Sequence, residues 1–325
     1  MIEDSYIINL EMEYTDNINT GQPIVLIVSS DVKYITGESL GGSVNLYLIF
    51  EIFLWLGIIF VLLGYLWERN KHIHRAAGYV LFGIFWIGEV PAYLAINDYF
   101  NAFFTFIGLP AFGYLAYQEY LSKKWDQDPE VLRFLAGGVS IASLIYFGVD
   151  RVPILSGYLI QIITEQTVWL TNLLGHEFSA GVIDYAGNPW FYKTNPGGSI
   201  NVPIDGVNIT IVMACTGLQA MAVGGSFVYS TASDKAKKIK SLLILIPTIY
   251  IANLLRNVMI IYFTVEGIFS FEVAHNQIAK TFSVVVLIAL LLTVFEIMPK
   301  FHENIMNTAR LIKRNPIHQK PQELF

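Results

Sequence analysis

Apolar residues along this chain are grouped into long runs, and short charged segments separate one run from the next. Several of these runs approach or exceed the roughly 18 residues that identify a membrane-spanning helix. They predict helices over about residues 46–66, 76–96, 102–121, 134–149, 216–232, 242–263 and 278–298. The pattern therefore predicts an all-α polytopic membrane protein with about seven transmembrane helices.

Two segments between these runs have a different pattern. Residues 154–174 have a helical pattern that contains Gln161, Glu165 and Gln166, which is too polar for a lipid-facing helix. We therefore expect an amphipathic helix that lies flat on the outer membrane interface. Residues 207–212 are mostly β-branched and predict a short extracytoplasmic β segment that leads into Cys215.

The distribution of basic residues orients the predicted helices. Lys and Arg cluster in three segments between helices and in the C-terminal tail, at positions 69, 71, 75, 123, 124, 133, 235, 237, 238, 240, 300, 310, 313, 314 and 320. Because Lys and Arg are enriched in cytoplasmic loops, these segments are expected to be cytoplasmic. The N-terminus and the segment before Cys215 then face the outside of the cell membrane.

Three parts of the chain follow from this topology. Residues 1–43 are expected to form an acidic extracytoplasmic N-terminal extension, residues 44–299 the transmembrane domain, and residues 300–325 a basic cytoplasmic tail. The first apolar run begins too late for a signal peptide, so the first spanning helix itself is expected to direct insertion.

Composition agrees with a membrane location and excludes some kinds of functional site. Hydrophobic residues make up 54% of the chain and charged residues 14%, against about 25% charged in average soluble domains. The mean hydropathy is +0.52. A single cysteine excludes internal disulfides and most zinc sites. We expect no metal, no cofactor and no nucleic-acid partner.

Cys215 is the most informative residue, because it stands between the predicted strand and a predicted helix. Unpaired backbone N–H groups and the helix dipole at such a junction stabilise a thiolate. Arg256 lies within an apolar segment, where an arginine is costly unless it has a function. At about 1.5 Å of rise per residue, Cys215 lies about 26 Å and Arg256 about 23 Å from the cytoplasmic end of its predicted helix. Both then lie in one layer near the outer surface.

His275 precedes the last predicted helix and falls in the same outer layer. A thiolate is a strong nucleophile towards a carbonyl carbon, and a histidine can accept the thiol proton and return it to a leaving amine. An arginine can stabilise the thiolate or a developing oxyanion. Each residue also has a plainer interpretation, because Arg256 could extend to the interface and His275 could be solvated. Their shared depth favours a thiol-dependent site.

Three short motifs resemble the exosortase/archaeosortase family. They are Ala214-Cys215-Thr216-Gly217-Leu218, Asn253-Leu254-Leu255-Arg256 and Ala274-His275-Asn276, and the resemblance covers residues 134–298. It implies Cys215 as the nucleophile and Arg256 as the central arginine, with Thr216, Gly217 and Asn253 in support. Family members use His or Arg at the third position, which favours His275 here and leaves Lys280 as an alternative.

The resemblance also implies a substrate and an acceptor. Its members are cysteine transpeptidases that cleave exported proteins at a C-terminal sorting signal, which consists of a short motif, a spanning helix and a basic cluster. The motif is Pro-Gly-Phe in the archaeosortase branch, and a lipid-derived nucleophile resolves the acyl-enzyme. The resemblance implies a prokaryotic, archaeal cell-surface enzyme. The competing hypothesis is a membrane transporter or other non-enzymatic membrane protein in which Arg256 is the counter-ion of a substrate.

Overall fold

In a computed structural model, residues 25–27, 46–95, 99–186, 194–201 and 208–313 can be described. They form nine α-helices and one small sheet in the described ranges. The helices are α1 (Leu46–Leu66), α2 (Lys71–Ala95), α3 (Tyr99–Trp125), α4 (Glu130–Asp150), α5 (Pro153–Asn172), α6 (Leu218–Ser230), α7 (Lys235–Val265), α8 (Lys280–Ile297) and α9 (Pro299–Arg310). The predominantly helical class predicted from the apolar runs is confirmed.

The sheet combines three strands that precede the cysteine in the chain with one short strand from near the N-terminus. Its strands are β1 (Val25–Ile27), β2 (Ser179–Ala186), β3 (Thr194–Asn201) and β4 (Asn208–Ile211), in the order β1-β4-β3-β2. β2 and β3 are antiparallel, β3 and β4 are antiparallel, and β1 runs parallel to β4. Ile200 and Ile209 are register partners and both are buried. The β-branched run before Cys215 therefore forms a strand because its isoleucines have a core to enter.

α5 covers this sheet and presents a buried row of threonines and isoleucines. Ile160, Ile163 and Val168 pack in one hydrophobic cluster with the sheet residues and with Cys215. The hydroxyls of Thr164, Thr167 and Thr171 each donate to the carbonyl four residues earlier, which satisfies polar groups that burial would otherwise leave unpaired. A helix at 154–174 was predicted, and its position on the membrane interface stays a prediction.

Four helices in the part of the chain that the structure describes are long and apolar enough to cross a membrane. They are Leu48–Leu66, Glu130–Asp150, Lys235–Val265 and Val273–Ile297. α6 has only 13 residues, or about 20 Å of helix, against a hydrocarbon core of about 30 Å. The predicted total of seven transmembrane helices stays a prediction.

The basic segment before the predicted helix 242–263 is not a loop. α7 begins at Lys235 and runs for 31 residues, so its lysines form its first turns. Lysine is a strong helix former, and its long side chain keeps the ammonium in water beside an apolar helix.

Arg75 is also helical rather than part of a basic loop. It lies in α2 with 1% of its surface exposed. Its Nε donates to the carbonyl oxygen of Gly64 at 2.8 Å, and its Nη1 lies 3.6 Å from Oε1 of the buried Glu119 on α3. Oδ1 of Asp128 supplies a second carboxylate oxygen, 3.4 Å from the same Nη1. Neutralisation by two carboxylates is what allows the guanidinium to be buried.

A second buried ion cluster joins α1 to the end of α4. Arg151 donates from Nη2 to Oε1 of Glu51 at 2.8 Å and also contacts Asp150. All three side chains are buried. The cluster ties the first helix to the segment that turns into α5.

One hydrophobic part of the helical core lies around α4 and the C-terminal helices. Phe134 of α4 contacts the rings of Phe227 on α6 and Phe301 on α9. The predicted basic tail therefore begins as an amphipathic helix, and Lys300 within it pairs with Glu130 at 3.2 Å. Residues 314–325, and residues 1–43 other than 25–27, lie outside the described residues, so the predicted extension and tail stay predictions.

Candidate active site

Cys215 lies in a tight turn between β4 and α6. The turn is one 3-10 helix, Met213–Thr216, and its first hydrogen bond runs from the N–H of Cys215 to the carbonyl of Val212 at 2.8 Å. The hydroxyl of Thr216 donates to the carbonyl of Met213 at 2.8 Å and accepts the N–H of Leu218 at 3.3 Å. The Thr216 side chain thus stabilises the turn and caps the start of α6.

Gly217 ends the turn in a conformation that favours glycine. Its φ is 73° and its ψ is 0°, in the left-handed region. This break separates the turn from α6, which begins at Leu218. The sequence predicts a helix from residue 216, and α6 begins two residues later, at Leu218, because Gly217 interrupts the helix.

Two side chains of α7 bind the backbone of the cysteine. The amide Nδ2 of Asn253 donates to the carbonyl oxygen of Cys215 at 2.6 Å, and Nδ2 of Asn257 donates to the same oxygen at 3.0 Å. Asn253 was a predicted supporting residue, whereas Asn257 was missed. Its signal was available in the sequence, as a second amide four residues on, on the same face of an apolar helix.

The cysteine side chain is enclosed by apolar residues. Cys215 is 4% exposed and belongs to the cluster that contains Ile163, Ile209 and Leu254. It forms no disulfide. The cluster therefore joins the cysteine to three elements: α5, the sheet and α7.

Arg256 lies on α7 between the two asparagines in sequence and is partly buried. Within the described ranges no carboxylate lies within ion-pair distance of it. Arg75 and Arg151, by contrast, are each paired with two carboxylates. A partly buried guanidinium of this kind has its charge available for an anion that forms or binds beside it.

His275 lies in a helical turn rather than in a connecting loop. Residues Val273–Ala279 are π-helical and lead directly into α8. The helical segment that carries His275 therefore begins before residue 278, the predicted start of the last helix, and it packs against α7. Single π-helical turns inside helices are frequent at functional sites.

The surroundings of His275 connect it to the other two residues. Its ring stacks on Phe271, with centroids 5.5 Å apart and planes 4° apart, and Phe271 packs against the cluster that holds Cys215. The positive charges of Arg256 and of the exposed Lys280 both act on the ring. Its Nδ1 is buried and has no hydrogen-bond partner among the described residues.

The residues predicted from distant parts of the sequence thus converge on α7. The cysteine turn is hydrogen-bonded to it, Arg256 is part of it, and the turn with His275 packs against it. The described residues contain no group of three or more His, Cys, Asp or Glu that could hold a metal ion. The structure thus brings the segments of the predicted thiol, guanidinium and imidazole groups to one helix.

Comparison with known proteins identifies the family. The family model described as transmembrane exosortase (Exosortase_EpsH) matches residues 50–295. The match covers well over half of the chain, and the chain belongs to this family. The resemblance inferred from the three motifs is confirmed.

One curated relative matches at low identity. Archaeosortase A from Haloferax volcanii is 25% identical over 206 residues, which cover 59% of this chain and 64% of that protein. The aligned region thus spans slightly less than two thirds of that relative's length. No solved structure matches the chain.

Proposed function

We propose that this chain is a membrane-embedded cysteine transpeptidase that cleaves C-terminal sorting signals of exported proteins. The observation that carries the proposal is the attachment of the cysteine turn to α7 by two hydrogen bonds at 2.6 Å and 3.0 Å, on either side of Arg256 in sequence. Membership of the exosortase family supports the same conclusion.

The reaction requires a thiolate at Cys215. His275 accepts the thiol proton, and the sulfur attacks the carbonyl carbon of the scissile peptide bond. The resulting tetrahedral oxyanion is stabilised by Arg256 and by backbone N–H groups near Thr216. The bond between carbon and nitrogen then breaks, and His275 returns its proton to the leaving amine. A thioester between Cys215 and the new C-terminus remains.

The second half of the reaction consumes this thioester. A nucleophilic group derived from a membrane lipid attacks the carbonyl carbon, the Cys215 thiolate leaves and takes up the proton of the nucleophile, and the exported protein becomes lipid-anchored. Water as the nucleophile gives hydrolysis, so transfer requires the acceptor to reach the thioester first. A site within the bilayer favours a lipid acceptor, because water is scarce there.

The proposed topology places this chemistry at the outer surface. The N-terminus and the sheet face outside, the C-terminal helix faces the cytoplasm, and seven helices cross the cell membrane. A substrate then enters with its spanning helix beside the enzyme and its basic cluster on the cytoplasmic side. Pro-Gly-Phe is the proposed recognition motif, because the motifs around Cys215, Arg256 and His275 resemble those of the archaeosortase branch.

A specific observation also favours a second candidate function. Arg256 is partly buried and has no carboxylate partner in the described part of the chain, which would also suit the counter-ion of an anionic substrate in a transporter. In that case the thiol of Cys215 serves only for packing. Cys215→Ser separates the two functions, since it keeps the size of the side chain and removes most of its nucleophilicity.

The experiment is co-expression with a reporter that carries a Pro-Gly-Phe motif, a spanning helix and a basic tail. We compare wild type, Cys215→Ser and Cys215→Ala, with Ser283→Ala as a matched control, because the Ser283 hydroxyl only bonds the backbone of Ala279. The transpeptidase is supported if the reporter loses its basic tail only with wild type and with Ser283→Ala, and if the new C-terminus of the reporter gains the mass of a lipid. Loss without that gain indicates a protease, and an identical reporter in all strains contradicts the proposal.

A further inference from the structure

The carbonyl oxygen of Cys215 accepts two side-chain hydrogen bonds from one helix. Asn253 and Asn257 both lie on α7, and their Nδ2 atoms are 2.6 Å and 3.0 Å from this oxygen. A carbonyl oxygen can only accept, so in both side chains the amide nitrogen must face it. The two lone pairs of the oxygen allow both bonds at once.

The local backbone explains why this oxygen needs donors from elsewhere. Gly217 adopts the left-handed conformation, and its carbonyl, which accepts the N–H of Met221, is the first acceptor of the α6 ladder. The carbonyl of Cys215 therefore precedes the helix, in a turn whose Met213, Cys215 and Thr216 are all buried. A buried acceptor without a donor costs more free energy than a hydrogen bond ordinarily contributes. The amides of α7 satisfy it.

The positions of the two asparagines fix α7 in two ways. Residues four apart lie on one helix face, so paired bonds to a single oxygen set both the height of α7 and its rotation relative to the cysteine turn. Arg256 immediately precedes Asn257 and, at about 100° per residue, lies beside this face. Any sliding or rotation of α7 that breaks these bonds also moves the guanidinium relative to the sulfur.

We propose that Asn257 is a positioning residue for Cys215, which holds the cysteine turn in register with Arg256. The inference rests on the proposed function for its effect on turnover, but its effect on the thiol is measurable without a substrate. Asn257 is buried and its amide nitrogen is engaged by the Cys215 carbonyl, so we assign it no contact with the substrate. Its role is to place the groups that make that contact.

The same bonds act on the peptide group that follows the cysteine. Donors at the Cys215 carbonyl polarise the Cys215–Thr216 peptide, and polarised hydrogen-bonded groups strengthen one another. The opposite end of that peptide is the N–H of Thr216, one of the proposed oxyanion donors. Loss of Asn257 therefore weakens the site through position and through polarisation, both of which act on the transition state.

The test uses the fact that Cys215 is the only cysteine in the chain. We measure the rate at which iodoacetamide alkylates the purified protein as a function of pH, because only the thiolate reacts. Asn257→Leu removes the donor at a similar volume, and Asn257→Asp keeps the shape but presents an acceptor to the carbonyl. Ser241→Ala is the control, a buried polar residue on α7, about 24 Å away along the helix.

We expect Asn257→Leu and Asn257→Asp to be alkylated about tenfold more slowly at neutral pH, with the profile shifted to higher pH, since under this proposal the cysteine turn is no longer held in register with Arg256. Asn257→Gln keeps an amide and should recover part of the rate. If Asn257→Leu does not fold, the alkylation profile of Asn257→Asp tests the inference. Profiles of Leu or Asp that superimpose on those of wild type and Ser241→Ala overturn the inference.

A kinetic measurement separates this inference from the proposed function. With a peptide that carries the sorting signal, Asn257→Asp should lower kcat about 10- to 100-fold, as expected for a misplaced catalytic group, and leave KM within about twofold. A change confined to KM overturns the positioning role. Full processing by Cys215→Ala contradicts the proposed function alone, because the alkylation profiles still report whether Asn257 positions the thiol.

Discussion

Gly217 and Asn253 are in direct contact: a Cβ atom added to Gly217 would lie 3.0 Å from both the Cβ and the Cγ of Asn253. This contact joins two motifs that are far apart in sequence, one with the cysteine and the other with Arg256. It also explains the glycine, since a side chain would push α7 away from the turn. The hydrogen bond from Asn253 to Cys215 depends on that closeness.

Gly217→Ala is therefore expected to disable the site. Alanine is disfavoured at a φ of 73°, by about 1–2 kcal/mol, and its methyl group displaces Asn253. We predict a loss of at least about 100-fold in processing of the sorting signal, the size typical of a misplacement of about 1 Å. Reporter cleavage in cells, normalised to the amount of enzyme, measures it.

Gly113→Ala is the matched control for this substitution. Gly113 lies inside α3, and a Cβ there meets nothing within 4 Å. Alanine at such a position stabilises by about 0.4–1 kcal/mol, so activity should be retained and the thermal midpoint should not fall. Equal activity of the two variants would contradict the role given to Gly217.

Arg256→Lys is expected to inactivate although it keeps the positive charge. A planar guanidinium can donate two bonds in a fixed orientation, and an ammonium cannot replace it at such a site. We predict a drop in kcat of about 10²–10³-fold, the cost of losing one oxyanion donor. Arg133→Lys, an exposed residue over the Tyr65 ring, serves as the control. Full activity of Arg256→Lys would refute the oxyanion role.

Substitution of His275 and Lys280 separates the two candidates for the acid–base group. His275→Ala should reduce kcat by about 10²–10⁴-fold, the usual contribution of general acid–base catalysis. Lys280→Ala should retain most activity, because Lys280 is exposed and acts on His275 only through its charge. Single-turnover cleavage of a signal peptide distinguishes them. Inactivation by Lys280→Ala alone would move the role to the lysine.

The loop between α3 and α4 should make stability depend on pH. Burial raises the pKa of Asp128, but a hydrogen bond from Lys71 and the charges of Lys71 and Arg75 outweigh it and leave the pKa below its usual value. The folded state then binds fewer protons than the unfolded state, so this stabilisation is complete above the unfolded pKa of about 4 and declines below it as pH falls through the folded pKa.

The measurement is the thermal midpoint in lipid nanodiscs between pH 7 and pH 3. Asp128→Asn should lower the midpoint at pH 7 and show a shallower decline below about pH 4 than wild type. Asp126→Asn is the control, since Asp126 is exposed at a positive φ of 52°, where asparagine is well tolerated. Parallel curves for wild type and Asp128→Asn would contradict the ion-pair account.

Much of the helical framework is visible in the sequence because apolar runs are local signals. The run 46–66 forms α1 (Leu46–Leu66), and the β-branched run before Cys215 forms β4. The three candidate site residues could likewise be proposed from residue type and from the sides of the membrane on which their segments are predicted to lie.

The features that were missed depend on tertiary contacts. Arg75 resembles a loop residue until Glu119 on another helix neutralises it. The segment of His275 is polar enough to resemble a connection, and its packing against α7 makes it helical. Asn257 has a local signal, its spacing of four residues from Asn253, but its partner becomes visible only when the Cys215 carbonyl is found beside both amides.

The central claim is that Cys215 forms a thioester with the substrate, and intact-protein mass spectrometry tests it most directly. Purified enzyme is mixed with a peptide that carries the sorting signal, in the absence of a lipid acceptor, and quenched in acid. The account predicts an adduct with the mass of the N-terminal fragment on Cys215, released by hydroxylamine and absent in Cys215→Ala. Cleavage of the peptide without any adduct, or an equal yield of cleaved peptide from Cys215→Ala, would contradict it.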